Sequence, residues 1–174
     1  LAQMTDKKGR VMIPDFYKDV AKVSKEEKKW FNKVKFIGKE IEEIAKVPLI
    51  GGEKGRSVVE RVWARPTFEA HGLTSGFQGE GSKTIIPQSA SAKVSMRLVP
   101  RQDPDKIAKS FERYVAKLAP KGVRVSVKMV PGGGSAFLED VRHPAFQAAR
   151  QALKDVFGCE VYWERCGGSI FAPE

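Results

Sequence analysis

The sequence predicts an α+β domain, an antiparallel sheet with helices packed on one face. Three observations predict it. Small or apolar residues alternate at Val62, Ala64, Pro66, Phe68 and Ala70, and again at Ala92, Val94, Met96 and Leu98. A segment of helical period follows, with Ile107, Phe111, Val115 and Leu118 on one face. Val123, Val125, Val127 and Met129 then alternate once more. Period 2 marks a strand with one buried face, period 3.6 a helix. Strand, strand, helix, strand is the order of a sheet covered on one side.

Each element has a local reason. Asp6-Lys7-Lys8-Gly9 reads as a turn before the apolar run Val11-Met12-Ile13. Ser24 with Glu27 three residues on has capping-box form. Behind it Trp30, Val34, Ile37, Ile41 and Ile44 recur at helical spacing, and Gly38 divides them into two short helices. Pro48 to Gly55 is a glycine-rich loop. In the first expected strand Pro66 cannot donate to a ladder, which places it at an edge or a gap. Gly72, Gly76, Gly79 and Gly81 mark the loop before the second strand. Asp103 caps the next helix, with Pro104 and Asp105 in a first turn that favours both. Pro144 opens a last helix, with Phe146, Ala149, Leu153 and Phe157 on one side and Gly158 as its stop. A short strand is expected at Val161–Trp163. This helix–strand pair lacks a partner sheet in the sequence and reads as part of a second unit.

Composition bounds the function. Of 174 residues, 41% are hydrophobic, enough for a core, and 30% are charged. No apolar run approaches the roughly 18 residues of a membrane helix. The chain opens at Leu1 rather than Met, as expected of a piece cut from a longer protein. Cys159 and Cys166 suit neither a zinc site nor a disulfide framework, and read as two thiols in a reducing, cytoplasmic setting. A net charge of +10 permits a polyanionic partner. The lysines of residues 25–35 are interleaved with acids and aromatics, so a nucleic-acid partner is not expected. A basic α+β nucleic-acid-binding module remains the rival reading.

Single motifs do not name a function. Gly76 to Thr84, GFQGEGSKT, fails the phosphate-loop spacing by one residue, because Ser82 separates Gly81 from Lys83. Neither His71 nor His143 has the partners of a catalytic zinc site. Ser169 lies in Gly-Gly-Ser, outside the nucleophile elbow of serine hydrolases. Arg97 alternates with apolar residues and points away from the expected core.

Several strings together do. They are Glu60 to Thr67, His71-Gly72-Leu73, Gly79 to Pro87, and Ser95-Met96-Arg97-Leu98-Val99-Pro100. Gly9-Arg10-Val11 through Phe16-Tyr17, and Gly167-Gly168-Ser169-Ile170, accompany them in order. Their joint spacing resembles the ArgE/DapE zinc metallopeptidase family, in its carnosinase-like dipeptidase branch. The resemblance implies a ferredoxin-like lid that carries the dimer contact, incomplete here at its N-terminal strand and helix. It divides the chain into a linker and helical insert (1–56), the lid (57–139) and the start of a returning catalytic segment (140–174). The family's two zinc ions are implied for a parent enzyme, with their ligands outside this chain and no cofactor within it. Implied partners are a second copy, the parent's catalytic domain, and a small peptide or N-acyl amino acid.

Four residues match functional positions of the family. His71 resembles the lid histidine that polarises the scissile carbonyl in the partner subunit. Thr84 and Arg97 resemble groups that hold the substrate carboxylate, and Ser169 the serine at the substrate pocket. The sequence departs from the family at Pro131, where relatives often have His, and at Cys166 and Phe171 around the Gly-Gly-Ser segment. This chain alone is expected to be inactive.

Overall fold

The computed structural model describes residues 1–34, 37–130 and 134–167. Among them are five helices and one two-stranded antiparallel sheet, the α+β class the sequence predicts. No helix among the described residues is long and apolar enough to cross a membrane.

The N-terminal turn forms as expected. The Asp6 carboxylate accepts the amides of Lys8 and Arg10 at 2.8 and 2.9 Å, and Gly9 takes φ +74°. Thr5 and Val11 pair across it. This hairpin delivers Met4, Val11, Ile13 and Phe16 to a core shared with Ile107 and Phe111. Polar bonds pin the segment there. Gln102 Nε2 donates to the Phe16 carbonyl and Ser110 Oγ to the Pro14 carbonyl, both at 2.7 Å.

Helix α1 (Lys25–Phe31) has the reciprocal capping box: Ser24 Oγ accepts from the Glu27 amide, and Glu27 accepts from the Ser24 amide. Helix α2 spans Ile37–Ala45. Two short helices form, but the division precedes Gly38, which lies inside α2. Asn32 already ends α1.

The first expected strand is corrected. Residues Val58–Ala64 form helix α3, capped by Ser57 Oγ on the Glu60 amide. Val59 and Trp63, four apart, bury one helical face against Phe31, with the Phe31 and Trp63 rings edge-on at 5.2 Å. The alternation Val62–Ala70 therefore straddles a helix end and a strand start, with Pro66 between them. Strand β1 is Glu69–Ser75, and β2 is Ala90–Ser95. Thr67 extends the contact by donating its amide to the Arg97 carbonyl at 3.0 Å.

Helix α4 (Pro104–Leu118) matches its expected cap and face. Ile107 and Phe111 are buried, and Phe68, Val94, Met96 and Leu98 pack against their cluster. The helix thus packs on the base of the hairpin, at Val94 and the flanking Phe68, Met96 and Leu98. The strand expected at 122–130 does not form a ladder. Its alternation still turns Val127 to the core, but a pattern of faces does not supply a hydrogen-bonding partner.

Helix α5 (Pro144–Phe157) begins at His143, whose Nδ1 accepts the Ala145 amide, and ends at Gly158 with φ +62°. None of its residues is buried, and Phe157 is 68% exposed. The strand expected at 161–163 is absent. Tyr162 instead lies tilted against Trp30 and Trp163 edge-on to Phe146, with ring centroids 5.7 and 6.0 Å apart.

Candidate functional site

The β1–β2 hairpin, its loop and its flank carry three of the four residues singled out for chemistry, His71, Thr84 and Arg97. Its register pairs Ala70 with Val94 and Gly72 with Lys93, so His71 is one extra residue on β1. Such a bulge bends the strand and redirects a side chain. Past it Leu73 pairs with Ala92, on the face of Val94 and Phe68, while Gly72 shares the opposite face with Lys93. A Cβ on Gly72 would lie 3.2 Å from both Cβ and Cδ of Lys93. Glycine there lets the lysine stem cross the strand beside the bulge. His71 is exposed.

Arg97 lies two residues beyond β2, exposed, with its amide donating to Thr67 Oγ1 at 3.4 Å. Because Thr67 is four residues before His71, the two positions are roughly 10–13 Å apart along the strand. They share one hairpin without lying side by side. Thr84 is exposed in the connecting loop 76–89. In that loop Gln78 Nε2 donates to the Ser75 carbonyl at 2.6 Å, and Lys83 approaches the Phe77 ring at 6.0 Å. Ser169, with Pro131 and Phe171, lies outside the described residues.

The scaffold contains pairs that the sequence did not reveal. Arg65 grips Glu53 with Nε and one terminal nitrogen at 2.6 and 3.1 Å, and its guanidinium lies 4.7 Å from the Tyr17 ring centre. Burial pushes the Tyr17 hydroxyl above its ordinary pKa, although it accepts the Val11 amide. Glu27, singled out only as a cap, also holds Arg165 from the far end of the chain. Burial opposes the charge on Glu27. Hydrogen bonds from the Ser24 amide and Arg165 outweigh it and hold the carboxyl below its usual range. Cap spacing was the sole signal in sequence; its 138-residue link to Arg165 had none.

Among the described residues the donor set does not fit a metal. No group of three or more His, Cys, Asp and Glu side chains is placed to hold an ion among the described residues. His143 is engaged in capping α5. The arrangement instead offers an exposed imidazole and guanidinium on a hairpin supported from one side.

The sequence pattern of the peptidase dimerisation domain family matches residues 4–123. A Cys-Gly metallodipeptidase of Saccharomyces cerevisiae is 27% identical over 98% of this chain and 36% of its own length. A beta-Ala-His dipeptidase of Homo sapiens is 25% identical over 98% of this chain and 34% of its own. An M20 family metallo-carboxypeptidase from Sulfolobus solfataricus superposes with a TM-score of 0.82, at 27% identity, over 97% of this chain and 43% of that one. The chain thus spans about a third of the length of the curated relatives it matches.

Proposed function

The chain belongs to the peptidase dimerisation domain family, and from that premise we propose that it is the lid and dimerisation segment of a zinc-dependent dipeptidase or amidohydrolase. The parent hydrolyses a peptide or N-acyl amide bond as a homodimer. Segments outside residues 1–174 hold its two zinc ions, which supply the hydroxide and polarise the carbonyl when bound. Within this reading, residues 57–139 are the lid, preceded by a helical insert and followed by the returning catalytic segment. The relatives are peptidases, which favours this reading over a nucleic-acid-binding module despite the net charge.

The chemistry proposed for this chain is recognition and charge stabilisation. His71 donates a hydrogen bond to the oxyanion that develops in the partner subunit's site. Donors preset for that charge are often the largest catalytic term. Arg97 holds the substrate carboxylate with its planar fork, and Thr84 and Ser169 add polar contacts.

One observation carries the reading. His71 is an exposed extra residue at a β-bulge on a hairpin whose far side is anchored by α4. That arrangement suits a group presented to another surface. The test is His71→Ala in the full-length protein. The expected loss in kcat is about a hundredfold or more with little change in KM. Unchanged kcat would contradict the assignment.

A further inference from the structure

The two cores of the chain are joined by one nearly buried ion pair at the root of the hairpin. Arg65 follows the last residue of α3 and is already extended, with φ −117° and ψ 135°. Its guanidinium donates to both oxygens of Glu53, at 2.6 and 3.1 Å, and lies 4.7 Å from the Tyr17 ring centre. The Arg65 and Glu53 side chains are only 13% and 10% exposed. Solvent and salt screen such a pair less than a surface pair. Each partner is itself held. Tyr17 packs on the core under α4, and its hydroxyl accepts the Val11 amide at 2.9 Å. Glu53 sits in a loop fastened to the N-terminal turn. There the Lys54 amide donates to the Lys8 carbonyl at 2.8 Å, and Gly9 approaches the Gly52 carbonyl too closely for any Cβ. Arg65 continues from Trp63 and Ala64, which lie in the second core. Two residues after Arg65, Thr67 begins the contact with Arg97, and His71 follows on β1.

We infer that the Glu53–Arg65 pair, set against Tyr17, fixes the root of the hairpin and so aims His71, with Arg65 and Glu53 as positioning residues. This rests on the reading above, in which His71 acts in a partner subunit's site. Neither Arg65 nor Glu53 touches substrate in this account. Thr67 is the pivot, and roughly 10–13 Å of strand separate it from His71. A tilt of about 5° at Thr67 moves His71 by roughly 1 Å and moves Arg97, beside the pivot, far less. A misplacement of about 1 Å can cost roughly a hundredfold in rate. Loosening the root therefore lowers kcat through His71, while KM, to which Arg97 contributes, changes little. The arginine fork suits the task, because two parallel bonds fix orientation as well as distance. Lysine would keep the charge alone.

The experiment uses the full-length, zinc-loaded protein with a dipeptide substrate, and His71→Ala is the reference. Glu53→Gln and Arg65→Gln each break the ion pair. The two together leave no unpaired charge, and serve where a single variant does not fold. Each should lower kcat about tenfold or more, with KM within about threefold of wild type. Arg65→Lys should lie between them and the wild type. Because the effect runs through His71, Arg65→Gln should change kcat by less than about twofold when His71 is already alanine. Unchanged kcat in the folded variants would make the pair purely structural and overturn the inference. An equal loss of kcat with and without His71 would overturn it too, since the effect would then bypass the histidine. In both cases a collapse of kcat in His71→Ala leaves the reading of His71 standing. Unchanged kcat in His71→Ala sinks that reading and the inference together. Should the double variant also fail to fold, Arg65→Lys decides by the same comparison.

Discussion

The hairpin and the N-terminal segment respond to opposite demands. The N-terminal segment of residues 4–17 buries Met4, Val11, Ile13 and Phe16, with Phe16 at 1% exposure, and its backbone accepts bonds from the Gln102 and Ser110 side chains. In β1 every residue but Gly72 is exposed, and in β2 only Val94 is not. Ordinary strands gain stability by burying a face. This hairpin uses its core face only near Phe68 and Val94, and beyond the bulge it leaves Leu73 70% exposed. The contrast teaches that stability and recognition are held in separate regions. One region anchors, and in the proposed reading the other presents side chains to a second copy of the protein.

The largest effect expected from that division is at the anchor. Phe16→Ala should cost about 3–5 kcal/mol by lost burial and cavity formation. Denaturant unfolding measures it, and a loss below about 1 kcal/mol would put the core elsewhere. His71→Ala sharpens the contrast from the other side. Its stability change should stay within about 0.5 kcal/mol, as for an exposed residue without a structural bond, although kcat collapses. A large loss of stability would make His71 part of the scaffold. Ser24→Ala removes one half of the capping box and should cost about 1 kcal/mol in thermal unfolding. The smallest effect is a pH dependence. The folded pKa of Glu27 is depressed below its unfolded value near 4.5. The stability it contributes is therefore fully present above that value and is lost as pH falls through the folded pKa. Wild type should lose more stability than Glu27→Gln on going from neutral pH to below that window. Identical acid profiles would show that the carboxylate charge contributes nothing.

How much was legible follows the same division. Caps and amphipathic faces are local, so Ser24–Glu27, Asp103–Pro104 and Pro144–Gly158 were all readable. Ser57–Glu60 has the same spacing as Ser24–Glu27, yet α3 was hidden because the alternation after Val62 competed with it. The bulge at His71 was not readable, since register belongs to two strands and Gly72 acquires its reason only from Lys93 across the ladder. The alternation over 122–130 suggested a buried face, but only Val127 of its four apolar residues packs on the core, and the pattern did not show whether a partner strand exists. For the candidate site, the resemblance selected His71, Thr84 and Arg97; the sequence alone gave no reason to prefer them. Arg165 was not selected, because its partner is 138 residues away.

The central claim is that the hairpin serves a second copy of the protein. The most direct measurement mixes two inactive full-length variants, His71→Ala and one lacking a zinc ligand, under conditions that exchange subunits. Each mixed dimer would hold one site with intact metal facing an intact histidine. Random exchange should then restore about a quarter of wild-type activity, because half the dimers are mixed and each has one complete site. A mixture no more active than its separate components, with subunit exchange verified, would contradict the account.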